Sequence, residues 1–520
     1  MLPVPSRSGP EGPPRPYGIV PAPGSAAAPG SPAEARAQSR ALLDGPFPRG
    51  GLARGISDGT LLLASSDGAR ELALARIRAS GASVVRIPVD WRDVALAPAP
   101  AGWSARDPAA PSYDFSRIDA AVKATAAAGL EPLLVVSHAP TFAEAPGRWA
   151  YAYLGSWAPD PAALGEFAAA LARRYDGSFA DPRAAAATLP RVRLLQAWNE
   201  PNLARYLEPQ WVAAGRSWHA FSPPFYRRML NAFYAGVKSV ASGDRVISAG
   251  LAPNGERPGV GRMAPVTFVR ELLCIGASRS PVRRSCGEPA HLDVFAFHPL
   301  SVGNPDLPAY SSLDVAISDA GKLTALLARA RKQGTIAPRG AKPVWVTELN
   351  WESAPAAAGG VPAALQAGWI SRALHRLWVA GVTLAQWQFL IDPFPALRAS
   401  TPTGGLLEYS RPAGLYRAAA DGDPAAATPK PFLQGFTLPF DPLRRDRRTV
   451  RVWALLSAPG ATAVLQRRRG ATWSTVASLR ADAHGVLNAL VQLRGAAVLR
   501  LAAGALTSAA ASVPTGRSRM

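Results

Sequence analysis

The sequence predicts an α/β protein built on a (β/α)8 TIM barrel, followed by a small antiparallel β-domain. Three observations carry this. Eight short, β-branched apolar runs fall between residue 46 and about residue 440, and Ala/Leu/Arg-rich stretches of helical character separate them. No Gly-rich phosphate or dinucleotide fingerprint follows any of these runs, which disfavours a doubly wound open sheet, the competing arrangement. From about residue 447 the helical pattern stops, and alternating strands broken by Gly, Pro and Asp turns take over.

In chain order, residues 1–45 are rich in Pro, Gly, Ala and Ser and read as a disordered leader; they lack the sustained apolar stretch of a signal peptide. The first strand is ARGISD, and a helix over 66–81 follows, with Leu72, Ala75, Ile77 and Ala79 expected on one face. SVVRIPVDW is the second strand, and its helix ends at Gly129, a residue suited to a left-handed C-terminal cap. EPLLVVSHAP is the third, followed by a helix with Asp160 as N-cap. RVRLLQAWNEP is the fourth, leading to a long helix around 223–242. The remaining strands are DRVISAGLAP, HLDVFAFHPL, KPVWVTELNW and VTLAQWQFL, with helices over 317–334 and 361–381 between the last three. The barrel thus spans 46–440, a sandwich-like β-domain spans 447–508, and 509–520 are expected to form a disordered tail.

Composition narrows the function classes. With 57 Lys and Arg against 36 Asp and Glu, the 520-residue chain carries a formal charge of +21. The arginines are scattered, however, and the two clusters, RRDRR at 444–448 and QRRRG at 466–470, lack the interleaved aromatics of a base-stacking surface, so no nucleic-acid partner is expected. No apolar run is long enough for a membrane span. The two cysteines, Cys274 and Cys286, stand twelve residues apart across a Gly/Ser/Pro-containing loop and can close a disulfide; two unrelated thiols are the alternative. A disulfide would place the protein outside the cell or in the cell envelope. No cofactor or metal is expected, and a monomer is.

The side chains at the C-terminal ends of barrel strands gather around one pocket. Here they are Arg86, His138, Asn199 with Glu200, His298, Glu348 and Trp387, from six different strands. Alone, each is most simply a cap, an ion-pair partner or core filling. Together they supply what acetal hydrolysis needs: one carboxyl to give a proton to the leaving oxygen, one carboxylate to attack the anomeric carbon, and an arginine to stabilise the charged partner. Asn199 offers an amide to a sugar hydroxyl and Trp387 a flat apolar face. No strand-end Lys for a Schiff base and no Asp/His/Glu metal cluster points to another barrel chemistry.

This set, with the wording WNEP and TE, resembles clan A of the glycoside hydrolases over about residues 50–440, most closely family 5 (cellulase-like), then family 39 (β-xylosidase-like) for its WNEPN and TELNW. The resemblance implies a retaining glycosidase acting on a β-linked carbohydrate. Glu200 would be the acid/base and Glu348 the nucleophile; Asn199 would contact the 2-hydroxyl. Arg86, His138 and His298 would hold the carboxylates and the sugar, and Trp387 would be the sugar platform. One departure is Leu300, where family 5 carries a tyrosine two residues after the sixth-strand histidine. A barrel that binds carbohydrate at the cell surface or wall without cleaving it is the alternative.

Overall fold

The computed structural model describes residues 40–64, 66–184, 186–276, 287–301, 303–393 and 411–518. Eight parallel strands form the barrel: β1 (Ala53–Ser57), β2 (Val84–Asp90), β3 (Glu131–Ser137), β4 (Leu194–Asn199), β5 (Arg245–Gly250), β6 (Phe295–Phe297), β7 (Val344–Leu349) and β8 (Val382–Gln388). The sheet runs β5-β4-β3-β2-β1-β8-β7-β6. It closes between β5 and β6 by a parallel bridge, Ile247 to Val294, and by Ser248 Oγ, which accepts from Ala296 N at 3.0 Å. Inside, Val84, Leu133, Val135, Leu194, Ile247, Val294, Ala296, Trp345 and Leu384 form an apolar plug. Alternation along the strands then turns polar side chains inward above it.

The helices form the outer layer: α1 (Asp67–Ala79), α2 (Ser116–Ala127), α3 (Pro161–Arg174), α4 (Ser222–Lys238), α5 (Pro265–Leu272), α6 (Ala320–Gln333), α7 (Ala363–Val379) and α8 (Pro431–Thr437). Asp160 caps α3 by accepting from Ala162 N, and Gly129 closes the turn after α2 at φ 71. The expected face of α1 is corrected. Its buried stripe is Arg70, Ala73, Leu74 and Ile77, at helical spacing, while Ala75 and Ala79 are exposed. An arginine occupies the buried stripe because its Nε donates to Leu62 O and its guanidinium pairs with Asp67. Where α3 and α4 cross, a Cβ on Gly236 would lie 2.1 Å from Gly165 O, so only glycine permits that approach.

The β-domain begins earlier and ends later than the sequence suggested. One sheet is β9 (Phe440–Arg444), β10 (Thr449–Leu455) and β13 (Val486–Gln492); the other contains β11 (Thr462–Arg469), β12 (Thr472–Arg480), β14 (Ala497–Ala503) and β15 (Ala511–Val513). The tail expected over 509–520 is therefore corrected: β15 pairs with β14, and Arg444 and Ser518 exchange hydrogen bonds. Of the expected leader, residues 1–39 lie outside the described residues, but Leu42 and Leu43 are buried against Leu443, and Arg451 Nε donates to Leu43 O.

A buried charge network joins this domain to the barrel. Asp441 on β9 accepts from Arg372 (2.8 Å) and bonds His375 Nδ1 (2.7 Å), both on α7. Arg372 and Arg376 also hold Asp306. The indole of Trp453 stacks on His375 with centroids 4.6 Å apart. Burial opposes the Asp441 charge, yet Arg372 and His375 bring its pKa far below the usual range; burial, the stronger influence on His375, leaves that ring below its own.

Candidate active site

Two departures from strand alternation build the barrel mouth. On β4, Gln196 points inward and Ala197 outward into the helix layer; then Trp198 takes φ 81, a left-handed backbone that side chains seldom adopt. Its indole turns outward to Tyr206 O, and Asn199 and Glu200 enter the mouth in succession. On β7 the pairing with β8 carries one extra residue between Val346 and Leu349, a bulge. Thr347 and Glu348 can therefore both reach inward. Strain and bulges of this kind concentrate where a side chain must be re-aimed for function.

The arrangement gathers five of the predicted residues. Arg86, on β2, forks three ways: Nη1 to Glu348 Oε1 at 2.6 Å, Nη2 to Asn199 Oδ1 at 2.7 Å, and Nε to Gln196 Oε1 at 3.0 Å. His298 Nδ1 lies 2.9 Å from Glu200 Oε1 and 3.8 Å from Glu348 Oε2. An oxygen of each glutamate and a ring nitrogen of His298 all lie within 4.8 Å of one another. All five side chains are buried, His298 completely. Gly250 makes room for that imidazole: a Cβ there would lie 1.9 Å from His298 Nε2.

Two predicted residues stand apart. His138, at φ 55, sits at the rim; its Nδ1 is 3.1 Å from Asp90 Oδ2, and its ring lies beside Tyr206 at 5.2 Å, with no bond to either glutamate. Asp90, opposed by burial but favoured by His138 and Arg92, has its pKa brought down to about 2. Trp387 is corrected. It is 1% exposed and pairs in register with Ile56 and Leu349, the outward row. Its indole packs against Trp351 and Phe432 and donates to Ala413 O, so it offers no face to a sugar.

Sequence reasoning missed Gln196, Thr347 and Asp90. Gln196 and Thr347 were both visible as lone polar residues inside apolar strands, each two residues beyond a plug position, Leu194 and Trp345; it is the inward turn of Glu348 that depends on the bulge. Leu300, half-buried, offers Glu348 no hydroxyl. That carboxylate is held by Arg86 instead.

Glu200, His298 and Glu348 also form a three-donor group in which a metal could be sought. Arg86 already places a cation 2.6 Å from Glu348, and His298 Nδ1 is committed to Glu200. A metal would have to displace both contacts, so the donor set suits a carboxylate pair better. Cys274 is buried just beyond α5; Cys286 lies outside the described residues. Of the tryptophans near the mouth, Trp91, Trp157, Trp211 and Trp351 are buried, while Trp149 is partly open and Trp218 is 40% exposed. Trp149, Trp211 and Trp218 line a cleft with Gln210 and Gly259, beside the hairpin Trp211–Ala214/Ser217–Ala220 that follows β4.

Fold and site together define a closed (β/α)8 barrel with a buried, clamped carboxylate pair at its C-terminal mouth. No protein-family model and no curated protein matches the chain. Among solved structures, it is similar to a family 39 glycoside hydrolase from Bacteroides cellulosilyticus WH2, at 17% identity and TM-score 0.50, covering 85% of this chain and 81% of that one. A glucosidase from Croceicoccus marinus matches at 15% and 0.47, covering 84% and 82%. A family 39 enzyme from Xanthomonas axonopodis pv. citri matches at 15% and 0.46, covering 85% and 91%. At this identity the likeness shows the fold. Family 5, put first by the strand-end residues, is not confirmed; the first of these structures is a family 39 enzyme.

Proposed function

We propose that the protein is a retaining O-glycoside hydrolase acting on a β-linked oligo- or polysaccharide, with Glu348 as nucleophile and Glu200 as acid/base. The observation that carries this is the close approach of the two carboxylates, oxygens within 4.8 Å. Retaining enzymes set their carboxyl groups about 5–5.5 Å apart, whereas inverting ones leave about 6.5–9.5 Å for a water. Arg86 pairs with Glu348 at 2.6 Å and aims it for attack. Because Asn199 Oδ1 accepts from Arg86, its NH2 group is left to donate to a sugar hydroxyl. In the first step Glu348 bonds the anomeric carbon as Glu200 protonates the departing oxygen; in the second, Glu200 takes a proton from water, which displaces Glu348. The Trp149/Trp211/Trp218 cleft supports an extended substrate, since indole faces stack on the apolar faces of sugar rings.

The reading includes a monomer outside the cell or in its envelope, with Cys274 paired to Cys286. Mass spectrometry of non-reduced digests tests the pairing. Release of reducing sugar from a panel of β-glucans, mannans and xylans tests the activity. Hydrolysis of at least one, abolished in Glu348→Gln, is expected. Binding to a glycan without release, unchanged in that variant, would favour a non-catalytic barrel, for which Leu300 leaves room.

A further inference from the structure

We propose that Gln196 and Thr347 are positioning residues that fix which ring nitrogen of His298 carries its proton, and thereby which oxygen of Glu200 carries the acid proton. The tautomer follows from hydrogen bonds alone; its catalytic consequence rests on the glycosidase reading.

Gln196 is fully buried, and its amide meets two groups of fixed sense. Arg86 Nε, 3.0 Å from Oε1, can only donate; the Ser248 carbonyl, 3.0 Å from Nε2, can only accept. The amide therefore has one orientation. Its second N–H is directed at Thr347 Oγ1, 3.3 Å away. Thr347 accepts that bond and keeps its own proton to give. Its other hydrogen-bond neighbour among the described residues is His298 Nε2, at 2.9 Å. Were Nε2 protonated, the hydroxyl proton would be stranded without an acceptor in a buried site, at the full desolvation cost of a polar group. Nε2 accepts, and Nδ1 bears the proton.

That N–H faces Glu200 Oε1, from the end of β4, at 2.9 Å, and Glu348 Oε2, from β7, at 3.8 Å; Arg86, from β2, stands behind Glu348. A carboxylic acid whose Oε1 accepts an N–H keeps its own proton on Oε2. From Oε2 the proton moves to the leaving oxygen as the glycosidic C–O bond breaks, and the bonding electron pair stays on that oxygen. With the opposite tautomer, the Glu200 hydroxyl would donate to Nδ1 and hold its proton there.

The chain has six histidines, so long-range 1H–15N correlation on 15N-histidine-labelled protein can read each ring, with His298 assigned by its loss in His298→Gln. A protonated Nδ1 and bare Nε2 in the wild type are expected; the reverse overturns the proposal, whether or not the protein hydrolyses anything. Kinetics then test the consequence. Thr347→Val keeps the shape but removes the hydroxyl. It should lower kcat/KM by about 10- to 100-fold on a glycoside with an alcohol leaving group, which needs an acid, and less than about 3-fold on a dinitrophenyl glycoside, which does not. Thr347→Ser should restore both. Equal losses on the two substrates would mean that Thr347 is merely structural and would overturn the catalytic part.

Discussion

Arg86 is the side chain on which the site turns, because its fork is the common anchor of Glu348, Asn199 and Gln196. Lysine keeps the charge but holds its donors on a single nitrogen, so it cannot span the three acceptors that the planar guanidinium fork reaches. Arg86→Lys is expected to lower kcat about 100-fold or more and stability by about 2–4 kcal/mol, measured by steady-state kinetics and urea unfolding. At the rim, Asp90 carries a pH signature. Its folded pKa of about 2 lies below its ordinary value, so its contribution is present above about pH 4 and is lost as pH falls toward 2. Asp90→Asn should cost about 1–2 kcal/mol at pH 6, with partial solvent screening allowed for, and almost nothing at pH 2, by the same unfolding measurement.

Strands and the loops after them decide how much of the site could be read in advance. The eight strands, Asp160 as a cap and Gly129 as a stop were legible because apolar period and turn chemistry are local. Glu200 and Glu348 were legible because acids at the ends of apolar runs are conspicuous. Thr347 faces inward by simple alternation from Trp345 and reads in the sequence as an ordinary strand residue; what only the pairing with β8 reveals is the extra residue in β7 that lets the adjacent Glu348 face in as well. Trp387 misled for the complementary reason: a strand-end indole looks like a platform until the register assigns it to the outward row. Two expectations belong here. Gly250→Ala at the end of β5 should push His298 aside and abolish turnover while lowering Tm by several degrees, by calorimetry. In the hairpin after β4, Trp218→Ala should raise KM several-fold for oligosaccharides and leave hydrolysis of a small aryl glycoside unchanged.

Across the full chain, the β-domain is anchored through charge as well as packing. Asp441, Arg372 and His375 are mutually dependent, and Trp453 covers the imidazole. Losing Asp441 strands two buried cationic or polar partners; Asp441→Asn should cost about 3–5 kcal/mol and split one unfolding transition into two. The pH sense follows from both shifts. A carboxylate held low and an imidazole held low each favour the folded state at higher pH, so stability should fall as pH drops below about 6.5 and again below about 4, and the lower step should shrink in the variant.

These levels meet at Glu348, which the fold carries on a bulge, Arg86 clamps, and the proposed chemistry makes a nucleophile. Incubation with a panel of 2-deoxy-2-fluoro glycosides, followed by intact mass and peptide mapping, asks directly whether it bonds the sugar. A single glycosyl adduct on Glu348, absent from Glu348→Gln, is expected. An adduct on another residue, or turnover of the parent glycoside with inverted anomeric configuration and no adduct, would contradict the assignment.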